Sequence, residues 1–383
     1  MENPETKPSL PVNRFRKPQP SEASTPEPIL GLNAENLSLP TDEILQTSSG
    51  PRTSNSDEES KLVSLGKDLA KRFKDKQVHP VLIFGSKGSG KTSLIASLLK
   101  YMHDRPESEA SVTFADSVLP DDDPWWEQTK IWSQDVFYKR VQTYINNLAP
   151  ESTQESQPFF IPISLTTKSG MELKFALLEG KGEWYQPNLD ATVPFQKFKS
   201  FLQGFLQGYN DSATVIYVAP YVTGSAEETP KSDGLRASDL GLLGAINEYL
   251  SLRKAFVHQD QHMFLVTKWD VFCESVAAPE FVEPLEEEIQ GVLRERYLQS
   301  WTRYQNSSVS QEKQNRTYSA YCAGLIDGRT VVTAAVEDDE RVAFYARKLW
   351  DWLYQNASGL TLYPDVRPKP LGRFERFLKW LRS

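Results

Sequence analysis

The sequence predicts an α/β fold, a three-layer αβα sandwich on a mostly parallel β-sheet. Three observations carry that expectation. Between residues 81 and 356, strand-like apolar runs alternate with helical periodicity, the pattern of a sheet covered by helices on both faces. The run Val81-Leu82-Ile83-Phe84 is apolar throughout, as suits a central strand of a parallel sheet. It passes through a glycine-rich turn, Gly85–Thr92, directly into a helix carrying Leu94, Ile95, Leu98 and Leu99 at 3–4 residue spacing.

Taken in order, residues 1–60 hold nine of the 25 prolines, many Ser and Thr, and one aromatic side chain, Phe15. Such a stretch buries too little apolar surface to offset the entropy of ordering, so it reads as a disordered Pro/Ser-rich arm. Within it, Ile29-Leu30, Leu32, Leu37, Leu39 and Ile44-Leu45 offer a short docking motif as an alternative. Lys61–Lys76 is expected as a helix, with Leu62, Leu65, Leu69 and Phe73 on one face and lysines on the other. Pro80 is tolerable because it stands at the start of the following strand.

Residues 61–360 form the expected domain, with an insertion at about 104–157. Inside the insertion an acidic turn at Leu119–Pro124 opens a helix bearing Trp125, Trp126, Ile131, Trp132, Phe137, Val141, Tyr144 and Ile145. Asp123 suits its N-cap and Pro124 its first turn. That aromatic face reads either as core or as a protein-partner surface over residues 125–145. A polar loop at Ser152–Gln157 follows.

Phe159–Thr166 and Met171–Leu178 flank Thr167-Lys168-Ser169-Gly170, which predicts a β-hairpin. Pro194–Tyr209 and Leu240–Arg253 are expected helices, and Ala213–Val218 and Met263–Val266 expected strands. A polar loop, Val222–Ser238, lies between two of them. Glu280–Tyr304 reads as one long charged helix, Tyr318–Leu325 as a strand, and Asp339–Asn356 as a helix. After Gly359, three prolines separate a linker and a C-terminal segment, 361–383, from the domain.

Composition narrows the function. The net charge of −8 gives no electrostatic case for nucleic acid. Cys273 and Cys322 fit no zinc spacing and point to a reducing compartment. No apolar run reaches the roughly 18 residues of a membrane span. The N-terminus lacks the apolar core of a signal peptide, so a cytoplasmic protein is expected.

The turn Gly85-Ser86-Lys87-Gly88-Ser89-Gly90-Lys91-Thr92 fits the P-loop pattern G-x-x-x-x-G-K-[ST] throughout, and Ser93 follows it. Gly85, Gly88 and Gly90 are expected to permit backbone conformations closed to other residues. The loop's N–H groups then converge on phosphate oxygens at the positive end of the helix. Lys91 is the candidate for the β- and γ-phosphates, and the Thr92 hydroxyl for Mg²⁺.

Two later stretches bear on the base and the γ-phosphate. The strand ending Phe264–Val266 runs into Thr267-Lys268-Trp269-Asp270. A carboxylate in the plane of the base accepts two hydrogen bonds from guanine, at N1–H and the 2-amino group; adenine offers no such pair. The Lys268 stem would cover the face of the base. The second stretch is Glu179-Gly180-Lys181-Gly182-Glu183, after the expected strand Met171–Leu178.

In that order these stretches resemble the P-loop, D-x-x-G and [N/T]-K-x-D motifs of Ras-like (TRAFAC-class) P-loop GTPases. The resemblance spans residues 81–356 and implies a Ras-like variant of the αβα fold. It implies GTP/GDP and Mg²⁺ as cofactors, with Thr92 and Glu179 toward the metal and Gly182 toward the γ-phosphate. This chain has Glu179 where the family has Asp. Glu183 stands where a Gln usually orients the attacking water, which makes it the candidate catalytic partner of Lys91 and implies slow hydrolysis. A family loop bearing Ser-Ala has two candidates, Ser319-Ala320 or Cys322-Ala323-Gly324; the second suits a strand end better. The switch I threonine has no recognisable frame among Thr113, Thr129 and Thr153. The insertion, the divergent Glu179 and the N-terminal arm resemble bacterial double-GTPase families more than eukaryotic small GTPases.

The C-terminal LGRFERFLKWLRS places Leu371, Phe374, Leu378 and Leu381 on one helical face, with Arg373, Arg376, Lys379 and Arg382 elsewhere. Peripheral membrane contact, a protein partner, or packing on its own domain are the three open readings. For the chain as a whole the expected activity is a guanine-nucleotide switch with slow hydrolysis. An ATP-dependent P-loop protein and a pseudo-GTPase scaffold stand as alternatives.

Overall fold

The computed structural model of the protein describes residues 55–86, 88–104, 109–121, 123–146, 159–180, 193–222, 236–253, 259–275, 284–306, 316–327, 330–332 and 336–363. The expected arm as far as residue 54, the loop 152–157 with Thr153, most of the loop 222–238 and the basic segment 371–383 lie outside them.

Helix α1 (Asn55–Asp75) begins at Asn55 rather than Lys61, so residues 55–60, expected in the arm, are helical. Asp57 and Glu58 in its first turn and Arg72 and Lys74 in its last complement the helix dipole, which favours extension beyond the apolar stripe. Strand β1 (Val78–Phe84) and helix α2 (Lys91–Asp104) follow. The insertion contains an unforeseen strand, β2 (Ala110–Phe114), whose five residues are too few to stand out as a periodic pattern. A 3₁₀ turn at Asp116–Val118 comes next. Arg72 of α1 holds it, donating to the carbonyls of Val118 at 2.8 Å and Leu119 at 3.0 Å.

Helix α3 (Pro124–Gln134) starts as expected. The Asp123 carboxylate accepts from the Trp125 amide at 2.8 Å. The single helix expected through Ile145 is interrupted by a π-helical turn, Asp135–Arg140, before α4 (Val141–Ile145). Trp126 and Val136 are core while Ile131 and Tyr138 are exposed, and the π turn shifts the helical phase of the residues that follow it.

Strands β3 (Phe159–Thr167) and β4 (Glu172–Glu179) form the expected antiparallel hairpin, with Phe160 opposite Leu178. Then come α5 (Val193–Gly208), β5 (Thr214–Pro220), α6 (Ala237–Arg253), β6 (Gln261–Thr267) and the short α7 (Trp269–Ser275). The long helix expected over Glu280–Tyr304 is two helices, α8 (Glu286–Arg296) and α9 (Leu298–Asn306). Tyr297 breaks them with φ −127° and ψ 36°, and its hydroxyl donates to the buried carbonyl of Pro220. Burying that ring is incompatible with a continuous solvent-facing helix. Strand β7 (Arg316–Ala320) stops at Ala320 rather than Leu325. Leu325–Asp327 (β8) pairs instead with Thr330–Val332 (β9), and α10 (Val336–Ser358) ends the series.

The sheet has seven strands in the order β2-β3-β4-β1-β5-β6-β7. The five from β4 to β7 are parallel; β3 and β2 extend the sheet antiparallel. Cross-strand partners share a face and successive residues alternate, so the faces can be assigned. Phe160, Leu178, Phe84 and Tyr217 point to one face. There Phe160 meets Phe73 of α1 and Phe205 of α5, Phe84 meets Tyr249 of α6, and Tyr217 meets Tyr304 of α9. Phe175, three residues before Leu178, points to the other face and meets Trp350 of α10, whose indole donates to Leu98 of α2. Helices α1 and α5 cross almost backbone to backbone. A Cβ on Gly204 would lie 2.0 Å from the Val63 carbonyl oxygen, and one on Gly66 would lie 2.3 Å from that of Phe201.

His79 on β1 donates to or accepts from Thr214 Oγ1 at 2.8 Å. Burial pushes its imidazole down from 6.5 to about 4, against an opposing pull from Asp260. A histidine that resists protonation when folded binds fewer protons than the unfolded chain between those values. Stability is therefore full above pH 6.5 and is lost as pH falls toward 4, by up to about 1.4 kcal/mol per unit. Urea midpoints measured from pH 7 to pH 4.5 are expected to fall more steeply for the wild type than for His79→Gln.

Candidate functional site

Because β4 to β7 are parallel, the chain leaves all five strands at the same edge of the sheet. Strand order reverses at β1, with the β2–β4 side on one hand and β5–β7 on the other. In open α/β sheets, ligands are held beyond the strand ends at such a reversal. The segments singled out in the sequence follow β1, β4, β6 and β7, so the topology delivers all four to this edge.

After β1, the chain turns through the glycine loop into α2. Gly88 and Gly90 have φ of +70° and +89°, the left-handed region in which a Cβ is strained. Gly85 differs from the expectation: its φ is not positive, and its need is for space. A Cβ there would lie 2.6 Å from Ser89 Oγ and 3.0 Å from the carbonyl oxygen of Val218 on β5. Nothing in the local sequence points to Val218 as that neighbour. Ser86 and Ser89 are buried, Thr92 and Ser93 half-buried, and Lys87 lies outside the described residues. The Lys91 ammonium is buried and donates to the carbonyls of Gly85 at 2.8 Å and Ser86 at 3.2 Å. It therefore sits over the loop at the positive end of α2, where anionic oxygens are favoured.

After β4, Glu179 reaches the same place. It is buried, and Thr92 Oγ1 donates to its Oε1 at 3.3 Å. A hydroxyl and a carboxylate from segments 87 residues apart thus form a pair of hard oxygen donors beside the loop. Oxygen donors of this kind suit Mg²⁺, which takes one or two carboxylates and completes its shell with water and phosphate. Gly182 and Glu183 lie outside the described residues.

After β6, Thr267 closes onto the loop from the opposite side: its hydroxyl donates to the Ser89 carbonyl at 2.7 Å. Lys268 is half-buried with φ +57°. A left-handed lysine costs on the order of 1–2 kcal/mol, and here it turns the chain from β6 into α7. Asp270 follows in the first turn of α7 and is 9% exposed. Trp269 between them is core, stacked on Phe272 at 4.3 Å.

After β7, Cys322, Ala323 and Gly324 form the loop, while Ser319-Ala320 lie inside the strand. Cys322 is fully buried, and the amides of Asp270 and Gly324 are hydrogen-bonded to its sulfur. Burial first, and then the Asp270 carboxylate, push its thiol well above the usual range, so it is a neutral thiol. The loop after β7 is thereby docked on the turn that carries Asp270.

Of the threonines considered for switch I, Thr113 is exposed on edge strand β2, and Thr129 is buried in α3, donating to the Trp125 carbonyl. Among the described residues no helix is long and apolar enough to cross a membrane.

No protein-family model matches this chain. No curated protein matches it either. Among solved structures, one similar chain belongs to a signal recognition particle receptor SRb-GTP/SRX complex from Chaetomium thermophilum. The two share 14% sequence identity over 66% of this chain and 93% of that one, at a TM-score of 0.35. The fold assignment rests on strand order and direction: an αβα sandwich on a mostly parallel sheet, with a glycine loop between β1 and α2.

Proposed function

We propose that this protein is a guanine-nucleotide-binding switch with slow, Mg²⁺-dependent GTP hydrolysis. The observation that carries the reading is the convergence on one glycine loop of Thr92 with Glu179 on one side and Thr267 on the other. In this reading the loop amides and Lys91 take the phosphates. Lys91 exchanges its carbonyl partners for phosphate oxygens and offsets their charge. Thr92 and Glu179 would hold Mg²⁺, which when bound supplies further charge neutralisation at the phosphates. Asp270 accepts from the guanine edge, the Lys268 stem covers its face, and the Cys322–Ala323 loop borders it. Glu183 stands where a neutral side chain would better orient water. A carboxylate there repels the γ-phosphate, which supports slow turnover and keeps a binding-only scaffold as the second reading.

A protein partner at the 125–145 face fits the exposed Ile131 and Tyr138. Membrane or partner contact by the basic segment 371–383 belongs to the same proposal.

Calorimetry after removal of co-purified nucleotide tests the reading. GTP and GDP are expected to bind in the presence of Mg²⁺, and ATP to bind at least 100-fold more weakly. The ratio follows from an aspartate left without its two donors, at about 1.5–3 kcal/mol for each charged hydrogen bond. Equal affinity for ATP and GTP would sink the base assignment. Single-turnover phosphate release from bound GTP separates a slow hydrolase from a scaffold.

A further inference from the structure

The side chain of Tyr321 bridges the two halves of the site. Its backbone belongs to the base side: the amide donates to Val266 at 2.7 Å, and the carbonyl accepts from the Trp269 amide at 3.3 Å. Both contacts clip it to the end of β6, and Cys322 follows directly. Its side chain leaves this cluster and crosses to α2, where its hydroxyl lies 2.6 Å from Ser97 Oγ. Ser97 Oγ donates its own proton to the Leu94 carbonyl at 2.9 Å, so Tyr321 is the donor in the 2.6 Å bond. The Leu94 amide in turn donates to the Gly90 carbonyl at 2.8 Å, inside the glycine loop. Tyr321 and Ser97 are both buried, so the connection is made without solvent.

We propose that Tyr321 is a positioning residue. Its bond to Ser97 sets the spacing between the base-side turn, Thr267–Asp270 with Cys322–Ala323, and the phosphate-side helix α2. This rests on the guanine-nucleotide reading above. A nucleotide spans both halves through a ribose of fixed length, so an error in spacing weakens the whole nucleotide while sparing its phosphate part. A bond that merely held the fold would affect both alike.

The test is calorimetry on the full chain with Mg²⁺, using GTP and inorganic tripolyphosphate as separate probes. Tyr321→Phe keeps the ring that packs against Tyr345 and removes only the hydroxyl. It is expected to weaken GTP about tenfold and tripolyphosphate by no more than about twofold, one hydrogen bond being worth roughly that factor. Ser97→Ala should do the same, and the double variant should be no worse than either single one. Equal losses for the two probes, or unchanged GTP affinity, overturn the positioning role. If Tyr321→Phe does not fold, Ser97→Ala decides alone, because it removes the acceptor. A wild type that binds tripolyphosphate but not GTP overturns the nucleotide reading itself, a result seen before any variant is made.

Discussion

Asp270→Ala is expected to remove the preference for guanine while leaving phosphate binding in place. The carboxylate is 9% exposed, in the first turn of α7, beside a loop that Cys322 docks against it. In the proposed complex it accepts two hydrogen bonds from one edge of the base. Each charge-assisted bond is worth about 1.5–3 kcal/mol, so GTP affinity should fall by a factor of about 100 or more. Tripolyphosphate, which in the proposed complex is held by Lys91 and the loop amides, should be affected by no more than about twofold. Calorimetry with both probes reads the two terms separately. A uniform loss would mean that the variant disturbs α7 and its packing. No loss would mean that Asp270 does not touch the base.

Asp260→Ala should be the most destabilising change at the opposite edge of the sheet, far from the glycine loop in strand direction. Arg253 and Asp260 are both fully buried. Asp260 Oδ1 accepts from the Ala213 amide and from Arg253 Nη2, each at 2.9 Å. Its Oδ2 accepts from Arg253 Nε at 2.9 Å and from the Tyr249 hydroxyl at 2.5 Å. The guanidinium also donates to the carbonyls of Leu206, Tyr209 and Asp211. This network ties the ends of α5 and α6 to the starts of β5 and β6. Removing the carboxylate leaves a buried cation without its counter-charge and a buried tyrosine hydroxyl without its acceptor, a loss of about 3–5 kcal/mol. Urea unfolding should show the drop in midpoint without a change in slope. The paired change Arg253→Met with Asp260→Leu should recover only the part due to the orphaned charge, because the Ala213 amide, the Tyr249 hydroxyl and the three carbonyls lose their partners in it. A single-variant loss below about 1 kcal/mol would show that water reaches the pair.

Much of the fold was legible because its signals are local. The apolar run of β1, the hairpin around Lys168–Gly170, the Asp123 cap and the stripe of α1 each depend on residues within a few positions of one another. Periodicity reads such features directly. The errors came where a distant partner overrides the local pattern. Tyr297 breaks the long charged helix because its ring is taken into the core and its hydroxyl onto Pro220. Strand β7 stops at Ala320 because Leu325–Asp327 has a different partner in β9. Edge strand β2 escaped because its identity comes from pairing with β3 rather than from its own five residues.

The candidate site divides the same way. By itself, the sequence determined the phosphate-loop pattern, the positive-φ glycines at 88 and 90, and the succession of strand ends carrying Glu179, Thr267 and Asp270. A motif is a local arrangement of backbone and side chain, so a linear string contains it. Only the tertiary structure decided that Glu179 meets Thr92, that Thr267 closes on Ser89, and that Tyr321 reaches Ser97 across 224 positions. It also decided part of why Gly85 must be glycine: besides Ser89 Oγ at 2.6 Å, the carbonyl oxygen of Val218 on another strand would lie 3.0 Å from a Cβ there. Strand order is not written in any one segment. It is set by which apolar faces bury one another, and that is a property of the whole chain.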